Sequence, residues 1–186
     1  MRYRQDSPSV TKEPRVITAP LARTEPIALP ERELLDAWLD FHRATLLTKC
    51  AGLSDEQLKT RAVPSSTMTL LGILRHMTIV ETWWFDVIFA GAIPPLEHPF
   101  NSQPRDDEFV NLEHAASDDV GERFLANCQR SRELAQNHPL ETVAALSTSA
   151  EPCDLRWIYV HMIEEYARHN GHADLLRELI DGQTGL

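Results

Sequence analysis

Hydrophobic positions recur at helical spacing along four stretches of this chain, and proline, glycine and acidic residues punctuate the intervals between them. The first stretch follows a Pro30-Glu-Arg-Glu start, where proline suits the opening turn and the acids suit the positive end of the helix dipole. Leu34, Leu35, Trp38, Phe41 and Leu46 then predict a helix ending near Gly52. Ser54-Asp-Glu-Gln57 has the form of a capping box, which predicts a short helical turn before Pro64. Ser65-Ser66-Thr67 offers another N-cap. From Thr69 the run Leu70 to Ile88 is apolar over more than half its circumference, so the helix is expected to pack on several sides until Gly91 and Pro94-Pro95 end it.

Pro94, Pro95, Pro99 and Pro104 predict a long loop over residues 92 to about 116. Ser117-Asp-Asp reads as the cap of a third long helix through Val120, Phe124, Cys128 and Leu134, ending near Asn137-His138-Pro139. Thr142 to Pro152 is a second connector, and Asp154 an N-cap for a final helix over Leu155 to Ile180. No segment alternates with period two between turn pairs, so strands are not expected. Four amphipathic helices with two long connections describe an all-α four-helix bundle. The bundle domain is expected over 31–186. Residues 1–30, with Pro8, Pro14, Pro20 and Pro26 and no sustained period, are expected to form an extended or disordered lead-in.

Composition narrows the function. At 186 residues, 42% hydrophobic, the chain has enough apolar material for one domain with a sizeable core. A net charge of −10 argues against binding nucleic acid or an anionic membrane, both of which attract clustered Lys and Arg. No secretory leader or membrane span is evident, which makes a cytoplasmic protein the expectation. Cys50, Cys128 and Cys153 are odd in number and far apart, implying neither a disulfide framework nor a thiolate zinc site. The apolar excess around Trp83-Trp84 leaves room for a homodimer, although an adjacent Trp pair also suits packing on two faces of one helix or the wall of a pocket.

The chemistry concentrates on the final helix. Glu165, His169 and His172 fall one turn apart on one face, and Glu at i with His at i+4 offers a carboxylate oxygen and an imidazole nitrogen to a divalent metal. A third ligand must come from elsewhere, and His76 lies inside the strongly apolar second long helix. The same residues also suit a plainer reading: a hydrogen-bonded core histidine and a solvated Glu-His pair. Spacing leaves the two readings level. His172 reads as a ligand, an outer donor or a substrate contact, and His161 as an extension of the polar stripe. Asp174 is expected to pair with Arg177 or with a neighbouring helix. His42, His98, His114 and His138 lack such convergence. No Gly-x-Ser-x-Gly elbow, reactive-cysteine setting or glycine-rich phosphate loop is present.

Two segments carry a resemblance: Ser66-Thr-Met-Thr-Leu-Leu-Gly-Ile-Leu-Arg-His76-Met with Glu81-Thr-Trp-Trp84, and Glu164-Glu-Tyr-Ala-Arg-His169-Asn-Gly-His-Ala-Asp-Leu-Leu-Arg-Glu178. Over about residues 31 to 182 the chain resembles the DinB-like (damage-inducible, YfiT-like) superfamily of metal-dependent bundles, close to an uncharacterised actinobacterial-type branch. The resemblance implies an up-down-down-up bundle whose divalent metal, usually zinc or nickel, is held by His76, Glu165 and His169. Many members have histidine where Glu165 stands, whereas the mycothiol-dependent maleylpyruvate isomerase branch is similar to this chain in using glutamate. Characterised relatives use mycothiol, bacillithiol or glutathione. The implied function is a metal-dependent thiol S-transferase, or a related isomerase or hydrolase, acting on a small molecule. His172 or Arg168 would orient the bound nucleophile or the thiol's carboxylates. A non-catalytic bundle that binds a small molecule, or serves a stress response, stands as the alternative.

Overall fold

The computed structural model describes residues 17–18, 24–93, 109, 111–147 and 151–185. Most of the proline-rich lead-in, and the loop residues 94–108 with His98, lie outside that set. The helices are α1 (Glu31–Cys50), α2 (Asp55–Leu58), α3 (Leu70–Glu81), α4 (Ser117–Ala135) and α5 (Leu155–Asp181). The second long helix continues beyond α3 without a break, but as a π-helical segment, Thr82–Phe89, a change of register that the apolar run does not announce. Among the described residues there is no strand, only an isolated bridge between Val143 and Asp154.

Local chemistry sets the ends. The expected capping box of α2 forms in both directions, Gln57 N–H to Ser54 Oγ at 3.2 Å and Ser54 N–H to Gln57 Oε1 at 2.9 Å. Thr69, not the Ser65-Ser66-Thr67 run, caps α3 through the Gly72 N–H at 3.0 Å. Asp154 caps α5 as expected, accepting from Trp157 N–H at 2.9 Å. The α4 start differs from expectation: Ser117 is the first helical residue, Ala116 occupies the cap, and no side-chain cap bond forms. Asp55 of α2 accepts the Ser117 N–H instead, at 3.1 Å. A carboxylate from another element thus satisfies a donor that a local cap would have taken.

Pairwise contacts give the topology. Arg156, at the start of α5, pairs with Glu31 at the start of α1, and Arg177 near the end of α5 donates to the Lys49 and Ala51 carbonyls. These two helices are therefore parallel. Asn127 and Arg130 of α4 meet Thr78 and Asp86 in that order, so α4 runs parallel to α3 and its π extension. His169, Tyr166 and His161 of α5 meet His76, Glu81 and Trp84 in that order, so α3 and α5 are antiparallel. The result is an all-α, up-down-down-up four-helix bundle. No described helix is long and apolar enough to cross a membrane.

The core holds Leu39, Leu46, Leu74, Met77, Phe124 and Met162, all almost fully buried. Inside it lies a charged group: the Arg43 guanidinium grips Glu81 with two bonds of 2.7 Å, and the Tyr166 hydroxyl donates to Glu81 Oε1 at 2.7 Å. Every partner is buried, so the bidentate geometry and the third donor are what make burial of the carboxylate tolerable. Asp174 pairs with Lys49 of α1 at 2.5 Å, the neighbouring-helix alternative, while Arg177 takes Asp181.

Candidate metal centre

The final helix is rotationally fixed by two anchors. Tyr166 is tied to Glu81, and the Asn170 side chain donates to the His42 carbonyl at 3.1 Å, with His42 Nδ1 at 3.4 Å. Each anchor lies one residue past a candidate ligand, so Glu165 and His169 are turned together toward α3. There they meet His76. Ligand atoms of His76, Glu165 and His169 all lie within 4.8 Å of one another. The His76 and His169 rings are 4.7 Å apart, and His169 Nε2 stands 3.7 Å from Glu165 Oε2. Ligands of a tetrahedral zinc at about 2.1 Å stand about 3.4 Å from each other, so the cluster needs only a small contraction to close on an ion.

The surroundings favour the neutral, metal-binding form of the imidazole. Burial first, then the neighbouring His76, His172 and Arg168, pushes the His169 pKa down to about 3. His169 Nδ1 is buried with no hydrogen-bond partner, and so is His172 Nδ1. The nitrogen that His169 turns to Glu165 is Nε2, so an ion in the cluster would not complete Nδ1. Two imidazoles and one carboxylate suit a first-row divalent ion such as zinc or nickel, and they leave a coordination position for a further ligand.

The other residues singled out in the sequence occupy the rim. His172 stands edge-on to His169, ring centroids 5.4 Å apart. Arg168 is exposed and paired with Glu164. His161 turns Nε2 to Glu165 Oε1 at 3.7 Å and Nδ1 to Glu164 Oε2 at 3.9 Å. With Glu164 and Glu165 it makes a second convergent group, but its two nitrogens address different carboxylates, so it bridges them rather than aiming both at one point. His42 belongs to neither group; it serves Asn170. The free thiols of Cys50 and Cys128 are buried, which raises each to about 12, the Glu81 charge adding to burial at Cys128. Neither is poised as a nucleophile.

Three features escaped sequence reasoning. Gly72, one turn before His76, makes room for Phe109, since a Cβ there would lie 3.0 Å from the Phe109 ring; that ring in turn lies 5.4 Å from His76. The buried Arg43–Glu81–Tyr166 group was signalled only by a lone acid at the end of an apolar helix. The third is an aromatic cluster of Trp84, Trp157 and His161 next to Glu165.

Comparison with known proteins gives the family and the fold. The family model for mycothiol S-transferases matches residues 34–182, a span holding all three convergent side chains. The chain belongs to the mycothiol S-transferase family. The DinB-like resemblance of the sequence is thereby established, together with the bundle that it implies. A crystal structure titled a conserved protein from Enterococcus faecalis is similar in fold, with a TM-score of 0.64 and 14% identity, covering 84% of this chain and 100% of the other. No curated protein matches. Within the mycothiol S-transferase span, the described His and Glu side chains form the two convergent groups above, and both include Glu165.

Proposed function

We propose that this protein is a divalent-metal-dependent S-transferase that joins a low-molecular-weight thiol of the mycothiol class to a carbon electrophile. The observation that carries the reading is the convergence of His76, Glu165 and His169 from two helices into one pocket of ligand atoms, in a chain of this family. In this reading these three residues hold zinc or nickel. The bound ion would lower the pKa of a coordinated thiol, so that thiolate exists near neutral pH.

The chain's own groups do the rest. Tyr166 and Asn170 hold the ligand face in register, which keeps the sulfur at a fixed place relative to α3. His172, edge-on to His169, orients the bound sulfur, and Arg168 at the rim offers its guanidinium to the thiol's amide and hydroxyl oxygens. In the transfer, a bond forms between sulfur and the electrophilic carbon while the bond from that carbon to its leaving group breaks. The leaving group departs with the electron pair, and the thiol proton passes to solvent. A reducing, cytoplasmic setting suits both such a thiol and three free cysteines.

Thiol consumption with an electrophile tests the proposal, with the metal-loaded and chelator-treated proteins compared. The expected result is turnover that vanishes on chelation and returns with zinc or nickel. Unchanged thiol consumption after complete metal removal would contradict it and leave a non-catalytic binding bundle as the better reading.

A further inference from the structure

Trp157 lies in the first turn of α5 with about half of its surface, 47%, exposed. A single exposed aromatic residue needs no explanation, but this one is held in a fixed orientation. Its indole stacks on the His161 ring, with centroids 4.9 Å apart and planes within 11°. Trp84 closes the cluster from the opposite helix, 5.2 Å from Trp157 and 4.5 Å edge-on to His161. The cluster is continuous with the candidate metal centre, because His161 Nε2 is 3.7 Å from Glu165 Oε1.

Trp84 lies within the π segment of the second long helix. Glu81, Trp84 and Phe85 of the second long helix, at i, i+3 and i+4, share one face and meet Tyr166, the Trp157–His161 pair and Tyr159 of α5. Hydrogen bonds such as Ala90 N–H to the Phe85 carbonyl, at 3.1 Å, record the wider turn of the π segment. Such segments are rare and cluster at functional sites, since their poorer packing is retained where it places a working side chain.

We propose that Trp157, Trp84 and His161 form the platform for the electrophilic co-substrate, and that this co-substrate is a planar aromatic molecule. The inference rests on the S-transfer reading for the reaction, but not for the binding. A flat, half-open indole braced by two rings offers stacking area at little entropic cost, and electron-poor rings stack on it best. The position beside Glu165 brings the reacting carbon of a stacked ring near the place where sulfur would be held. With chlorodinitrobenzene as acceptor, the new bond joins sulfur to the ring carbon, the carbon–chlorine bond breaks, chloride leaves with the electron pair and the thiol proton goes to solvent.

The test has a binding arm and a turnover arm. Unreactive meta-dinitrobenzene, without thiol, is titrated into the full-length metal-loaded protein while tryptophan fluorescence is followed. Saturable quenching is expected, weakened about tenfold in Trp157→Ala and within about threefold of wild type in Trp157→Phe, as loss and retention of one stacking contact predict. Val160→Ala, an exposed neighbour on α5, serves as the control expected to match wild type. In turnover, Trp157→Ala is expected to raise the KM for chlorodinitrobenzene about tenfold while the KM for thiol stays within about twofold. Unsaturable quenching, equal quenching in Trp157→Ala, or a rise in thiol KM instead would overturn the platform. Saturable, Trp157-dependent quenching in a protein that never consumes thiol would uphold the platform and sink the S-transfer reading alone.

Discussion

Two polar sites sit one residue apart on α5 and differ in how completely they are satisfied. Tyr166 enters the Arg43–Glu81 group, where the carboxylate receives three bonds of 2.7 Å and no partner is left open. Glu165 enters the other, where its oxygens meet imidazole edges at 3.7 Å, too long for hydrogen bonds, and His169 Nδ1 has no partner at all. The first is a closed structural clasp between α1, α3 and α5. The second is an open cluster of side chains of the kinds that bind metals. Burial of polar groups alone does not mark a functional site in this bundle; convergence of metal-binding side chain types does, since unpartnered buried atoms also occur at Ser131 Oγ and Asn170 Oδ1.

The largest effect should come from opening the clasp. Arg43→Met leaves the Glu81 carboxylate buried without its counter-charge and is expected to lower unfolding free energy by about 3–5 kcal/mol in urea denaturation. Arg43→Met combined with Glu81→Leu should recover a good part of that loss, because the stranded charge is gone. If the double variant is as unstable as the sum of the singles, the clasp is not acting as one unit. Tyr166→Phe removes a single bond to a charged group and should cost about 2 kcal/mol, with metal content unchanged from wild type. Loss of metal in a stably folded Tyr166→Phe would show that the two sites are not as separable as the comparison holds.

The candidate cluster predicts a smaller effect with a distinctive pH dependence. Folded His169 stays neutral down to about 3, whereas an unfolded histidine takes up a proton near 6.5. Between these values the unfolded state of the metal-free protein binds more protons, so stability falls as pH drops from 6.5 toward 3. Metal-free His169→Gln should show a shallower fall in Tm over that window. Equal slopes would mean that the His169 environment is not as desolvated as the structure has it. The smallest effect belongs to the rim: Arg168→Ala breaks an exposed i,i+4 pair with Glu164 and should change stability by no more than about 0.5 kcal/mol.

The sequence carried the helices and half of the candidate centre. Apolar spacing placed α1, the α3 run, α4 and α5 within a few residues, and the Ser54-Gln57 and Asp154 caps formed as read. Glu165 and His169 were legible because i and i+4 share a helix face whatever the tertiary structure. His76 was legible as a candidate from its place inside an apolar helix, but spacing says nothing about which faces of two helices oppose; the family resemblance favoured the pairing that the fold shows. Ser117 was misread as a cap because the acceptor that replaces it, Asp55, comes from a distant element. The π segment stayed hidden because a helix that is apolar nearly all round has no polar stripe to reveal a change of register.

The central claim is that the unsatisfied site on α5 holds a divalent metal through His76, Glu165 and His169. Metal analysis of the purified protein after exhaustive dialysis, beside its His169→Ala variant, tests it most directly. The expected result is about one equivalent of zinc or nickel in the wild type and a small fraction of that in the variant. Equal, negligible metal in both proteins would contradict it.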